Sequence, residues 1–190
     1  MRVTYRYIRP ITVVYTRAFG PYRTSVPAAW RAMDEWLDKR GMRSRVKQAY
    51  GYFRDNPRLT APELLRYDAC VPVTFGIEPD PEAGIASQVL PGGSYAVHTH
   101  VGSYAATGEL FSLLQRDIVP KRGLTIDHDR PFLAVYLNDP DVTREMHRRT
   151  ELCVPVLPVQ MPMPSSGNDD DAADTRSNVV DFAALRRLAG

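Results

Sequence analysis

Cysteine is scarce in this chain: Cys70 and Cys153 are the only two among 190 residues. Two thiols exclude a disulfide framework and cannot make a zinc site alone. Both lie inside strand patterns and read as buried thiols of a reducing cytosol, with pairing across the molecule as the alternative. Long apolar runs are missing too. Nothing approaches the eighteen or more apolar residues of a membrane span, and no apolar leader follows Arg2. A cytoplasmic protein without membrane attachment is therefore expected. An excess of either charge is also missing, with 24 Lys and Arg against 22 Asp and Glu. That balance argues against direct nucleic-acid binding and against an acidic DNA mimic. The basic run from Arg40 to Lys47 holds no interleaved aromatic and reads as a solvated loop.

Familiar catalytic apparatus is equally thin. No glycine-rich phosphate loop follows a strand, since Gly92-Gly93 and Gly102 read as turns. Every candidate serine lies in a turn or near the C-terminus, so no Ser-His-Asp arrangement can be argued. His98 and His100 share one strand face, as metal ligands often do, but His128 and His147 fall in predicted loops and leave no third ligand. No metal and no cofactor is expected.

What the chain does contain is a repeat. Arg66-Tyr67-Asp68-Ala69-Cys70-Val71-Pro72-Val73 and Arg149-Thr150-Glu151-Leu152-Cys153-Val154-Pro155-Val156 both read Arg-x-acid-x-Cys-Val-Pro-Val. Each cysteine lies 13 residues after a proline in an Asn/Asp-rich turn, Pro57 or Pro140. Phe19-Gly20-Pro21-Tyr22 stands against Val101-Gly102-Ser103-Tyr104, and glycine to cysteine is 50 residues in one copy and 51 in the other. Two copies are too few for a solenoid. They predict one α+β domain over 1–158, with modules 1–75 and 85–158 related by a pseudo-two-fold axis and a groove between them.

Within each module the pattern is strand, helix, strand, strand. Residues 3–8 and 11–18 are strand runs separated by Pro10. A helix is expected from an N-cap at Thr24 or Ser25 to about Arg40, with Val26, Trp30, Met33 and Leu37 as its apolar stripe and Trp36 on its flank. Strands follow at 46–53 and 64–73. After a Pro/Gly/acid linker at 76–84 the order repeats: strands at 85–90 and 94–101, a helix over 104–119 stopped by Pro120, and strands at 132–137 and 149–156. Two such modules predict an antiparallel sheet with helices on one side. Residues 159–190 read as a flexible acidic tail ending in a short amphipathic segment.

Strand alternation puts Leu152, Val154 and Val156 on one face and Glu151, Cys153 and Pro155 on the other. Tyr67, Ala69 and Val71 are likewise set against Asp68, Cys70 and Pro72. Glu151 and Asp68 are thus equivalent lone acids among apolar strand residues, each of which must be solvated, ion-paired or used. An ion pair with Arg149 or Arg66 is one outcome. A carboxylate on the floor of an apolar groove is the other, with walls drawn from Tyr22, Trp36, Tyr52, Tyr104, Tyr136 and Phe19. Such a site suits a lipophilic cation.

The repeated signatures, together with Arg54-Asp55-Asn56-Pro57, Pro91-Gly92-Gly93-Ser94-Tyr95 and Tyr136-Leu137-Asn138-Asp139-Pro140, resemble the GyrI-like family, the AraC effector-binding or small-molecule-binding domain, over residues 1–158. The resemblance implies two strand–helix–strand–strand modules with a ligand groove between them. It implies that Glu151 matches the acid of the last strand that contacts cationic ligands in multidrug-binding relatives. Many relatives carry the domain behind a DNA-binding region and regulate transcription. This chain, opening on the first strand, resembles stand-alone members, which include gyrase inhibitory proteins and hydrolases of cyclopropane-bearing toxins.

Three functions follow as expectations. The first is binding of a lipophilic or cationic small molecule by Glu151, Tyr22, Trp36, Tyr104 and Tyr136, with Asp68 as a second acid. The second is inhibition of DNA gyrase, or contact with another protein, through the surface. In the third, a hydrolase, Glu151 would activate water and a groove tyrosine, Tyr104 or Tyr136, would donate a proton.

Overall fold

The computed structural model describes residues 1–157. The expected tail at 159–190 lies outside the described residues. Among the described residues eight strands form: β1 (Thr4–Ile8), β2 (Ile11–Phe19), β3 (Ala49–Phe53), β4 (Arg66–Pro72), β5 (Ala86–Leu90), β6 (Gly93–Val101), β7 (Phe132–Tyr136) and β8 (Arg149–Pro155). One helix, α1 (Tyr22–Lys39), connects β2 to β3. Its counterpart opens with a 3-10 turn at Tyr104–Ala106, becomes α2 (Thr107–Leu113) and continues through a π-turn at Leu114–Ile118 to Lys121.

Both helices depart from expectation at their ends. The first starts at Tyr22, with Pro21 as its N-cap and no side-chain cap bond. The Thr24 and Ser25 amides bond to the Pro21 carbonyl instead. The second passes Pro120, because the π-turn just before it widens the coil where proline supplies no N–H.

All strand pairs are antiparallel, in the order β1-β6-β8-β7-β3-β4-β2-β5. The two repeats meet at β3 and β7, where Gly51 faces Ala134. Each repeat also exchanges its first strand: β1 pairs with β6 of the second repeat, and β5 pairs with β2 of the first. The partner numbers add to 101 in both pairings, from Thr4 with Val97 to Tyr15 with Ala86. One long antiparallel pair is therefore kinked at Pro10 and at Pro91-Gly92, and it draws the ends of the sheet together. Gly92 is required there, since a Cβ would sit 2.6 Å from the Pro10 ring.

The sheet accordingly curls into a half-barrel. Its helix-free face is covered by its own curvature, and Tyr50, Cys70, Tyr95, Leu133 and Cys153 are buried there without a helix above them. On the other face α1 packs Ala29, Met33 and Trp36 onto Val14, Tyr67, Ala69 and Val71. The α2 segment packs Phe111 and Leu114 onto Ala96, Ala134, Leu152 and Val154. At roughly 25 cal/mol per Å² of apolar surface, these layers supply most of the drive to fold.

Candidate functional site

The two helices leave a groove of about 850 Å³ between them, above the β3–β7 seam. Equivalent parts of the two repeats position its walls. Gly20 (φ +108) and Gly102 (φ +130) turn β2 and β6 into the helices, a conformation that L side chains rarely adopt. That turn delivers Tyr22 and Tyr104 to the helix starts. At the other ends of the repeats, the Asp55 carboxylate accepts from the Arg66 amide at 2.8 Å, and the Asn138 carbonyl oxygen from the Arg149 amide at 3.0 Å. These bonds fix the turns that follow β3 and β7.

Two aromatic clusters result. Phe53 meets Tyr22 at 5.0 Å and Phe111 of the opposite helix at 5.3 Å. Tyr136, the counterpart of Phe53, meets Tyr104 at 5.3 Å and Trp30 of the opposite helix at 5.3 Å. All four contacts are edge-to-face. Beneath them Trp30 Nε1 donates to Tyr67 Oη at 2.9 Å, and Tyr67 Oη lies 3.1 Å from Tyr136 Oη. Burial pushes the Tyr67 and Tyr136 phenols upward, so both stay protonated.

The two tyrosines at the helix starts differ in one respect. Tyr22 Oη donates to the Asp55 carbonyl at 2.7 Å. Tyr104 Oη is buried with no partner, while the Arg148 guanidinium lies 5.2 Å from its ring centre. Burial pushes both phenols up to about 12. Tyr104 therefore keeps an unspent hydroxyl beside the groove.

Among the acids lining the groove, Asp55 is bound by Arg66 at 2.6 Å. Asp34 is not satisfied in this way. It sits one turn beyond Trp30 on the same face of α1 and is half-buried, and its nearest cation, Arg43, is 3.4 Å away. Burial raises its carboxyl to about 6, with Arg43 opposing and Asp141, Asp38 and Asp139 reinforcing the rise. On the facing helix Ser112 and Gln115 line the groove and no acid does.

Glu151, Asp68 and Trp36 were expected in the groove, and the structure places none of them there. Alternation holds as predicted, but the face bearing both acids is the helix-free one. Glu151 pairs with Arg6 at 2.5 Å. Asp68 is fully buried and receives Arg17 at 2.7 and 3.1 Å, Arg54 at 2.7 Å and Gln88 at 3.0 Å. The partners are thus neither Arg149 nor Arg66. Arg6 of β1 and Gln88 of β5 occupy equivalent places, so each acid holds a strand exchanged from the other repeat. Trp36 is buried against the sheet, and its Nε1 donates to Asp80 at 2.9 Å. The groove-facing tryptophan is Trp30, which the sequence pattern assigned to the core. Tyr104 and Glu151 lie on opposite faces, so the acid–tyrosine pair expected of a hydrolase is not assembled.

His98 and His100 bond to the Arg2 and Ser103 carbonyls, and among the described residues no group of three His, Cys, Asp or Glu could hold a metal. The cysteines are both free and buried. No helix among the described residues is long and apolar enough to cross a membrane.

A duplicated half-barrel with an aromatic groove between its helices defines a small-molecule-binding domain. The chain belongs to the GyrI-like small molecule binding domain family, whose model matches residues 1–157. A probable transcriptional regulator, YgiV of Escherichia coli K12, is 33% identical over 109 residues, covering 57% of this chain and 67% of YgiV. A DNA gyrase inhibitor of Cronobacter turicensis is 31% identical over 129 residues, covering 63% and 75%. Among solved structures, the EcmrR C-terminal domain superposes with a TM-score of 0.65 at 15% identity, covering 83% of this chain and 98% of that one. SAV2435 bound to tetraphenylphosphonium gives 0.56 at 14% identity, covering 83% and 94%.

Proposed function

We propose that the groove between the repeats binds a lipophilic cation. One observation carries this reading: a half-buried carboxylate, Asp34, one helical turn from Trp30 in a cleft whose walls include Tyr22, Phe53, Tyr104, Phe111 and Tyr136. A ligand's positive charge is attracted to Asp34 and to the faces of Trp30, Tyr104 and Tyr136, where partial desolvation strengthens both interactions. Its apolar body fills the space toward Tyr22, Phe53 and Phe111. That SAV2435 takes tetraphenylphosphonium on the same fold supports the choice of ligand class.

Thermal unfolding with tetraphenylphosphonium and with neutral triphenylphosphine oxide tests the proposal. Binding to the folded state raises the melting temperature, so the cation is expected to raise it more than the oxide does. Equal shifts, or none, would reject a charge-selective groove.

A further inference from the structure

At the α1 end of the groove a single guanidinium serves several acids. Arg43, just after α1, lies 3.4 Å from Asp34, 3.1 Å from Asp38 and 2.5 Å from Asp141, the last belonging to the second repeat. Asp139 stands close enough to act on Asp34 as well. Among the described residues no other cation forms a salt bridge with any of the four. Lys47 also lines the groove, but it is exposed and its Nζ donates to the Ser44 carbonyl.

We infer that Arg43 is the groove's internal counter-cation, occupying the place of a ligand's charge and setting how strongly the site selects for positive ligands. The inference rests on the cation-binding reading above. The contact with Asp34 is the longest of the three, and the other two acids, Asp38 and Asp141, are 57% and 61% exposed. An incoming cation competes with Arg43 for Asp34 at the longest of these contacts, and Arg43 stays held by the other two acids. The displaced guanidinium remains nearby and repels the ligand, so affinity is lower than Asp34 alone would give.

Removing this charge should tighten cation binding, contrary to the usual effect of deleting a residue that lines a site. Isothermal calorimetry at pH 8, where Asp34 is ionised, reads this directly. Arg43→Gln is expected to bind tetraphenylphosphonium about tenfold more tightly than the unaltered chain, a difference of about 1.4 kcal/mol. Arg43→Lys keeps the charge and should stay within about twofold of the original. Affinity for triphenylphosphine oxide should be the same in all three. A structural role alone would not move the pH profile. In Arg43→Gln the pH at which cation affinity is half lost should rise above the value of about 6 set by Asp34, because the one group that lowers that carboxyl is gone while Asp38, Asp139 and Asp141 remain.

If the unaltered chain binds the cation and Arg43→Gln binds it equally or more weakly, Arg43 is not a competitor, although the groove reading stands. Parallel tightening toward the neutral oxide would mean a widened groove and would also overturn the inference. No binding of the cation by the unaltered chain overturns both readings.

Discussion

Tyr67 and Tyr136 meet hydroxyl to hydroxyl at 3.1 Å, one from each repeat, over the place where Gly51 has no side chain. A Cβ on Gly51 would lie 2.4 Å from Tyr67 Oη and 3.2 Å from Tyr136 Oη. The contact that joins the halves beneath the groove thus depends on one glycine. Gly51→Ala is expected to destabilise the fold by about 2 kcal/mol, as overpacking does, and to weaken ligand binding by displacing Tyr136. Urea unfolding gives the first quantity and calorimetry the second.

Tyr67→Phe removes the acceptor for Trp30 Nε1 without adding volume. The unpaired indole N–H should cost about 1 kcal/mol of stability, and the Trp30 emission spectrum should shift when compared with the parent.

Asp68 holds two arginines and Gln88 on the helix-free face. Asp68→Asn leaves two partly buried guanidiniums without their anion and should destabilise the domain by about 3 kcal/mol. Because the residue lies outside the groove, tetraphenylphosphonium affinity in the remaining folded protein should be unchanged.

The folded chain holds the Asp34 proton more tightly than the unfolded chain does, its carboxyl being raised from 3.8 to about 6. Its contribution to stability is therefore fully present below 3.8 and is lost as pH rises through about 6. Urea midpoints at intervals from pH 4 to pH 7 should show a falling component that Asp34→Asn abolishes. Cation affinity should run the opposite way, rising over the same interval as Asp34 ionises.

The duplication, the strand faces and the strand–helix–strand–strand order were legible, because Cys70 and Cys153, Gly20 and Gly102, and the two proline turns recur at matched spacings. Which face carries the groove was not. Alternation separates Glu151 from Leu152 but does not say which of the two lies under the helices. The helix stripe was legible at Met33 and Leu37, which are buried, but not at the two tryptophans. Trp30 and Asp34 face the groove while Met33 and Trp36 face the sheet, and their i,i+4 spacing was the available signal. The strand exchange was hidden because β1–β6 and β2–β5 pairing depends on the curl of the whole sheet, which no local pattern encodes.

In the proposed groove Asp34, rather than the strand acid Glu151, recognises ligand charge. Calorimetric titration of tetraphenylphosphonium at pH 8 into Asp34→Asn and Glu151→Gln separates the two acids. The account predicts about tenfold weaker binding in Asp34→Asn and a change of less than about twofold in Glu151→Gln. Unchanged affinity in Asp34→Asn, together with loss of binding in Glu151→Gln, would contradict it.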